Sequence, residues 1–523
     1  MFAQLLGMTR GKKDKEKDRG KEKEKEKEIS KEEVSTAKGV AGGCPFTTQS
    51  SSTQRPISTP GGVGSRNGDG GSCARAAGSV KDGVLDGECD CCGRHHFTEK
   101  ADDWGVGGKR SMVPAPPLGP AGSTTSTVAA AMALPPLGAT AFAVEVEAVE
   151  RGLHIQLGEP GAKTEAQLGE QQLESAKRLR QLLSTNKERM IQELLGRGWV
   201  PQLLRWLALV HRPAVQVEAL WALTNIAQST TEHTTLLLKH GAVQTLVSLL
   251  NSPSLEVLEQ AMWVLGNISQ DRQDGMAARD AILMHDVLSP LVRCLQQHPT
   301  LLSLQRIGAW SLCNLFDGQP RPTVDVAEVM PAINRLLKSK DEEVLSHACF
   351  ALSHLCDDSA AHIKVVVESG VCRRLVQLLD HHSWRVVKPA LRTIGNVVCA
   401  EDDADYTEAI LEAGSVPCLR KLIAHPNREI QKEACWTLSN IAAGSVSQIQ
   451  SVLDSGAMPK LIELATASGT DSEVRSEAFW VVLNAASCGS DAQIESLVLE
   501  GCVPILSDLL SESSMVLMAL EGI

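Results

Sequence analysis

The chain has 523 residues, 43% hydrophobic and 22% charged, with 63 acidic against 51 basic side chains. Its net charge of -12 excludes broad, sequence-independent nucleic-acid binding, which needs a basic surface to release counterions, and favours cationic partners. The 15 cysteines follow no disulfide-scaffold spacing, which suits a reduced compartment, and the first residues contain no apolar run of the kind a secretion signal needs.

Residues 1–160 read as a low-complexity, largely disordered arm. Positions 10–28 alternate Lys/Arg with Asp/Glu, a solvated stretch with a small basic surplus. Ser/Thr/Gly-rich segments and a Pro/Ala/Gly-rich run at 113–139 follow, and such compositions bury too little apolar surface to offset chain entropy. The stretch 127–146 is long enough to suggest a membrane span, but a Pro-Pro pair in its middle and its alanine content argue against one. Cys89, Cys91, Cys92, His95 and His96 crowd into ECDCCGRHH. Soft ligands at that density could hold zinc, but the spacing fits no common finger and no second Cys pair completes a site, so the segment reads as an ordinary loop.

From about Gln167 onward apolar residues recur at intervals of three and four, the helical period, without strand-like alternation. An internal repeat runs through this region. ALWALTNIAQ at 219–228 returns as AMWVLGNISQ at 261–270, GAWSLCNLFD at 308–317, CFALSHLCDD at 349–358, LRTIGNVVCA at 391–400, CWTLSNIAAG at 435–444 and FWVVLNAASC at 479–488. The first marked position is Trp221, Trp263, Trp310, Phe350, Arg392, Trp436 and Trp480; four residues later come Asn225, Asn267, Asn314, His354, Asn396, Asn440 and Asn484. A second mark, a glycine before a short apolar helix, appears at HGAVQTLVSLL, SGVCRRLVQLL, AGSVPCLRKLI, SGAMPKLIELA and EGCVPILSDLL, with Pro417, Pro459 and Pro504 in the first helical turn. A period near 43 residues with three helices per unit is the armadillo/HEAT pattern. The predicted architecture is all-α: a right-handed superhelical solenoid over 166–523, of about eight repeats with the last incomplete, behind the disordered arm.

Residues four apart share one helix face. Leu438 and Ile441 suffice for a buried stripe on their helix, so Trp436 and Asn440 are expected on another, and Asn has no reason to recur in a core. A ladder of amides one repeat apart suits an extended peptide, because each amide carries a donor and an acceptor for main-chain groups. Tryptophans between the rungs suit Lys and Arg, whose stems lie between indoles with the charge over a ring face. Asp271, Asp317 and Glu433 at the rims would select that charge. The expected ligand is a short Lys/Arg-rich peptide. No Gly-rich phosphate loop after a strand, HExxH or nucleophile elbow supports an enzyme, and no cofactor is implied.

EALWALTNIAQSTTEHT, EQAMWVLGNISQD, VVKPALRTIGNVV and IQKEACWTLSNIAAG closely resemble the importin alpha (karyopherin alpha) family, over about 167–523. The resemblance implies a nuclear import adaptor in cytoplasm and nucleus, binding nuclear localisation signals and linking cargo to an importin-beta-type carrier. It implies a major site of Trp221/Asn225, Trp263/Asn267 and Trp310/Asn314, with a lysine pocket from Asp271, the Thr234 hydroxyl, Ser229 and Thr230. It implies a minor site of Phe350, Arg392, Asn396, Glu433, Trp436, Asn440, Glu477, Trp480 and Asn484, with Phe350, His354 and Arg392 breaking the ladder between the two. Ile307, Ser229, Asp317 and His347 depart from the family pattern. Asp317 is expected to strengthen the attraction for cations, and His347 to weaken an acidic spot near Glu343. Family members also carry an importin-beta-binding segment of consecutive basic residues, and an export receptor grips their final repeats. Here Lys12-Lys13 is the one adjacent basic pair of the arm at 10–28, so weak carrier binding and weak self-occupation of the groove are expected, and the early stop at MVLMALEGI is expected to weaken export contacts. Direct contact with nucleic acid or membrane is not expected. The rival readings are an armadillo scaffold that binds a partner through other surfaces, and a divergent adaptor without carrier binding.

Overall fold

The computed structural model describes the backbone of residues 87–88 and 95–96, and residues 137–153, 164–272, 276–357, 359–400 and 406–504. The chain divides into two units, Met1–Leu85 and Asp86–Ile523, and every described residue lies in the second. The charged stretch at 10–28, Cys89, Cys91, Cys92 and the residues after 504 lie outside the described residues. Within ECDCCGRHH and its approach, β1 (Gly87–Glu88) and β2 (His95–His96) pair antiparallel, Gly87 opposite His96 and Glu88 opposite His95, where a plain loop was expected.

Helix begins earlier than composition predicts. α1 (Ala139–Leu153) falls inside the expected arm, yet it packs on α2 (Glu165–Thr185) and buries Phe142, Val146, Val149 and Leu153, a helical stripe that the surrounding Ala/Gly/Pro content masks. Gly152 sets the approach: a Cβ there would lie 1.9 Å from Ser175 Oγ, whose hydroxyl donates to Ala148 O. Arg178 pairs with Glu145 at 2.8 Å and Arg197 with Glu150 at 2.7 Å across this junction.

The repeats follow in sets. α3 (Lys187–Gly196), α4 (Val200–Leu207) and α5 (Pro213–Ala227) form the first. α6 (Thr231–Lys239), α7 (Ala242–Leu249) and α8 (Leu255–Ser269) form the second. α9 (Ala277–Leu283), α10 (Leu288–Gln297) and α11 (Leu302–Phe316) form the third. The fourth has two helices, α12 (Val326–Leu336) and α13 (Glu342–Leu355). α14 (Ala360–Glu368), α15 (Cys372–Leu378) and α16 (Trp384–Val398) make the fifth. α17 (Tyr406–Glu412), α18 (Ser415–Leu422) and α19 (Arg428–Ala442) make the sixth. α20 (Val446–Asp454), α21 (Met458–Thr466) and α22 (Ser472–Cys488) make the seventh, and α23 (Asp491–Leu499) opens the next. The fourth set departs from the three-helix expectation because residues 317–325 run without a helix. The fully buried Arg279 holds that segment, donating to Asp317 O at 2.7 Å and Pro320 O at 2.8 Å.

Long helices start at defined caps. Ser254, Asp341, Asn427 and Asp471 accept from backbone N–H groups of α8, α13, α19 and α22, and Pro213 opens α5. From α2 through α5, α8, α11, α13, α16 and α19 to α22, each long helix packs on the next, so one core runs the length of the solenoid. Its spine is the residue after each ladder position: Ile226, Ile268, Leu315, Leu355, Val397, Ile441 and Ala485 are all buried. Each of the larger aliphatic chains contributes roughly 1.5–3 kcal/mol by leaving water. Two glycines let the helices close up. A Cβ on Gly266 would meet the Trp310 ring at 2.2 Å, and one on Gly395 the Trp436 ring at 2.1 Å.

Three outcomes follow from this packing. At the turn between the first and second helices of a set the backbone goes left-handed, through Gly241, Gly370, Gly414 and Gly456; the third set places Asp286 there at φ 53°. Asp286→Gly should stabilise the chain by about 0.5–1 kcal/mol, read as a higher urea midpoint. Gly266→Ala forces a methyl into a rigid indole and should cost about 1–3 kcal/mol, whereas Gly196→Ala, with no atom within 4 Å of its added Cβ, should leave the thermal midpoint level or higher. His347 is buried, and burial lowers its pKa from 6.5 to about 4. Above the unfolded value it is neutral in both states. As pH falls from about 6.5 towards 4 the unfolded chain takes the proton first, so stability is lost, up to about 3 kcal/mol. Denaturant titrations between pH 7 and 4 should show a shallower loss for His347→Leu than for the parent chain.

Candidate functional site

The marked positions converge on one face of the stacked long helices, and what links them is main chain and amide. The Asn314 amide donates to Gly266 O at 3.3 Å, Asn396 to Ser353 O at 3.0 Å and Asn484 to Ser439 O at 3.0 Å. In each case the acceptor is the carbonyl just before the preceding ladder position, so each rung ties its helix to the one before. Asn225 donates within its own helix, to Trp221 O at 3.0 Å, and Gln228 Nε2 reaches Asn267 Oδ1 at 3.3 Å. A primary amide has two N–H donors and a carbonyl acceptor, so one such bond leaves capacity over. Asn267 Nδ2, Asn314 Oδ1, Asn440 Nδ2 and Trp263 Nε1 are buried and find no hydrogen-bond partner among the described residues.

The tryptophans differ from expectation. Trp221 is half-buried, but Trp263, Trp310 and Trp436 are only 3%, 1% and 2% exposed, so they pack as core residues. Trp310 and Trp436 lie on Gly266 and Gly395 of the preceding repeats. Trp436 also has the Arg392 guanidinium 5.3 Å from its ring centroid. Trp480 stands edge-on to Phe479. The open slots expected between indoles are therefore largely closed at these rungs by the protein's own atoms.

Around Asp271 the geometry changes the predicted roles. Its carboxylate accepts from the Thr231 hydroxyl at 2.9 Å. The expected hydroxyl, Thr234, is buried, and its Oγ1 points to Thr230 O at 3.4 Å, a weak turn-internal contact. Thr230 is exposed, and Ser229 Oγ lies 3.0 Å from His233 Nδ1. Asp317 is also not the simple attractor expected. Arg272 pairs with it, Arg321 Nη1 stands at 4.0 Å and His354 Nδ1 at 3.6 Å. Burial raises the Asp317 carboxyl, but His354, Arg272 and Arg321 outweigh it and hold the carboxyl below the usual range. Burial lowers the His354 pKa to about 4, so this ring is neutral at pH 7 and the arginines carry the compensation there. Arg321 pairs in addition with Asp357.

Farther along, Arg392 is held by Glu433 through Nε to Oε2 at 2.7 Å and a second contact from Nη2 to Oε1, both side chains buried. This fork is the strongest charged contact available to a carboxylate. Lys388 pairs with Glu429 and Lys432 with Glu473, each at 3.2 Å. Phe350 stacks on His354 at 6.3 Å, so the interruption of the ladder is an aromatic pair beside an ion pair. Glu477 is buried on α22, three residues before Trp480.

Sequence reasoning missed Gln228, Thr231, Arg272 and Arg321, whose partners lie about one repeat away and carry no local signature. A usable signal existed for the glycines. The residue three after each marked position is small in six of seven copies, Thr224, Gly266, Cys313, Ser353, Gly395 and Ser439, which is what close helix approach demands. Among the described residues no cluster of His, Cys, Asp and Glu could hold a metal, and no helix is long and apolar enough to cross a membrane. Burial pushes the buried thiols up, Cys294 to about 11 and Cys349 to about 12.

Comparison with known proteins supplies the family. The Armadillo/beta-catenin-like repeat matches residues 230–270, 359–398, 403–443 and 445–487. Importin subunit alpha-1b of Oryza sativa subsp. japonica is 44% identical over 232 residues, 44% of this chain and 43% of the relative. Importin subunit alpha-8 of Arabidopsis thaliana is 37% identical over 397 residues, 67% of this chain and 77% of the relative. The chain spans about half the length of the first relatives, 43% and 55% of the two rice proteins. Among solved structures, an engineered protein aligns with TM-score 0.53 and 28% identity over 72% of this chain and 98% of its own. The solenoid, its ladder and these relatives together identify the chain as a member of the importin alpha family.

Proposed function

We propose that the chain is a nuclear import adaptor that binds Lys/Arg-rich nuclear localisation signals along the ladder face and hands them to an importin-beta-type carrier. The observation that carries this reading is the row of half-buried amides: Asn225, Asn396 and Asn484 each donate to a main-chain carbonyl and stay partly open to solvent. A primary amide keeps a second donor and an acceptor after one such bond, and an extended peptide backbone presents the alternating donors and acceptors that would use them. Asp271 beside the second rung supplies the charge preference. Trp221/Asn225, Trp263/Asn267 and Trp310/Asn314 form the major site, with Asp271, Thr231, Ser229, Thr230 and Thr234 around the lysine position. Asn396, Trp436, Asn440, Trp480, Asn484 and Glu477 form the minor site, beyond the Arg392–Glu433 pair and Phe350.

On this reading the protein works in both cytoplasm and nucleus, with cargo peptides, an importin-beta-type carrier and an export receptor as partners and no direct contact with nucleic acid or membrane. Carrier binding through residues 10–28 is weak because their basic side chains alternate with acids. The chemistry is recognition, not catalysis. The Coulombic share of binding makes it salt-sensitive.

The test is a fluorescence titration of the full chain with a labelled PKKKRKV peptide beside Asp271→Asn, whose loss of one charge at constant shape should weaken binding about tenfold or more, with a smaller penalty at high salt. A parent chain that fails to bind the peptide at low salt would rule the adaptor out and leave the solenoid as a scaffold. Binding that ignores Asp271→Asn would move the peptide to another surface.

A further inference from the structure

The second helices of the repeats carry cations that take no part in the ladder. On the long helices and at their ends, Arg272, Arg306, Arg321, Lys388, Arg392 and Lys432 each pair with a carboxylate. Arg293 on α10, Arg335 on α12 and Arg374 on α15 differ. Each reaches the C-terminal end of the second helix before it and finds a neutral acceptor there. Arg293 Nη1 donates to Asn251 Oδ1 at 3.1 Å, Arg335 Nη1 to Gln296 O at 3.5 Å and Arg374 Nε to Leu337 O at 2.8 Å. Arg374 Nη1 also donates to Gln377 Oε1 at 3.3 Å. Among the described residues none of the three pairs with a carboxylate. We propose that this row on α10, α12 and α15 is a docking surface for an acidic polypeptide segment of a partner protein, separate from the ladder and independent of the reading given to it above.

Ties between repeats do not account for the charge. A bond to a neutral acceptor needs a donor and no cation, and a helix C-terminus offsets only about half an elementary charge. A guanidinium has five N–H donors, so most remain available after one or two such bonds. Arg293 and Arg335 are exposed and Arg374 half-buried; Lys338, next to Leu337, and Arg373, next to Arg374, are exposed as well. The bonds already made hold the heads over the preceding helix, so a ligand has little ordering left to impose. The row is also bounded. At the register of Arg293, α7 carries Ser248, while on α18 Lys421 is already taken by Asp380 at 2.9 Å. Asp286 lines one cleft with Arg293, Gln244, Ser248 and Asn251, and limits attraction at that end. Packed helices stand about 8–10 Å apart, which an extended strand covers in about three residues, so a segment with an acid at every third position fits best. A long polyanion fits poorly, since the row spans three repeats of a chain whose net charge is -12.

The experiment titrates the full chain at low salt with a fluorescein-labelled peptide of four Glu-Ser-Gly units. Arg293→Gln combined with Arg335→Gln should weaken binding about tenfold, and the difference should shrink at high salt. Arg335→Gln alone gives up one long hydrogen bond, so it should keep its fold by circular dichroism and weaken binding about threefold; it keeps the test decisive where the double variant unfolds. Arg205→Gln combined with Lys239→Gln removes the same charge from exposed positions outside the row and should change binding by less than about twofold. An equal loss in that control would reduce the effect to net charge. A parent chain that does not bind the peptide, or that binds a single-stranded thymidylate oligomer of equal charge more tightly through the same arginines, would also overturn the proposal.

Discussion

Everything in the solenoid depends on how closely one long helix approaches the next. The distance is set where a Trp of one repeat lies on the small residue of the repeat before it, Trp310 on Gly266 and Trp436 on Gly395. At that separation the amide of Asn314 reaches the Gly266 carbonyl, and those of Asn396 and Asn484 reach their counterparts at Ser353 and Ser439. Gly266 accepts both the ring and the hydrogen bond, whereas Gly395 takes the Trp436 ring while Asn440 Nδ2 finds no partner among the described residues. A larger side chain there would lift the indole and take the amide out of reach together, which couples packing to the position of the rungs.

The same coupling explains why the ladder cannot be divided into core residues and binding residues. A Trp that is 1% exposed contributes as core. Its neighbour four residues on uses one amide hydrogen to tie two helices and leaves the rest of the group unmatched. Such buried polar atoms lower stability, and the aliphatic spine from Ile226 to Ile441 more than offsets them, since each aliphatic chain contributes more than a single unmatched atom is expected to cost on average. Rigid neighbours hold the unmatched groups in place, so the amides keep one fixed geometry along the solenoid.

How much was legible in the sequence depended on range. The Trp–Asn spacing, the 43-residue period and the glycine before each second helix are local patterns, and they identified the solenoid. α1 was hidden because its stripe of Phe142, Val146, Val149 and Leu153 sits in a low-complexity neighbourhood whose average conceals it. The burial of Trp263 and Trp310 was hidden because a helix pattern shows which residues share a side but not how near the next helix comes. Thr231, rather than Thr234, meets Asp271 because it opens α6 and turns towards the adjoining repeat, while Thr234 turns back to its own helix. The links from Arg272 to Asp317 and from Arg392 to Glu433 join residues 45 and 41 apart, and no composition or periodicity argument selects one such partner among several.

The fourth repeat shows what the architecture requires and what it tolerates. Its first helix is missing, yet α11 and α13 pack on each other like the other long pairs. The long helix is the unit that matters, because a single helix of 15 residues carries three strips at once. The residue after the ladder position is buried in the core, the ladder position reaches the preceding long helix, and the residues three or four beyond it, just past the helix end, form the charged edge. The 3.6-residue period fixes that order, so the strips keep register from repeat to repeat even where the connecting segments change length. Variation can then accumulate at the edge without disturbing the rungs: the link to Asp271 comes from a threonine hydroxyl and the link to Asp317 from an arginine, while the amides and the spine stay where they are. The chemistry of the edge is thereby separable from the fold, since the side chains there change while the helix packing persists.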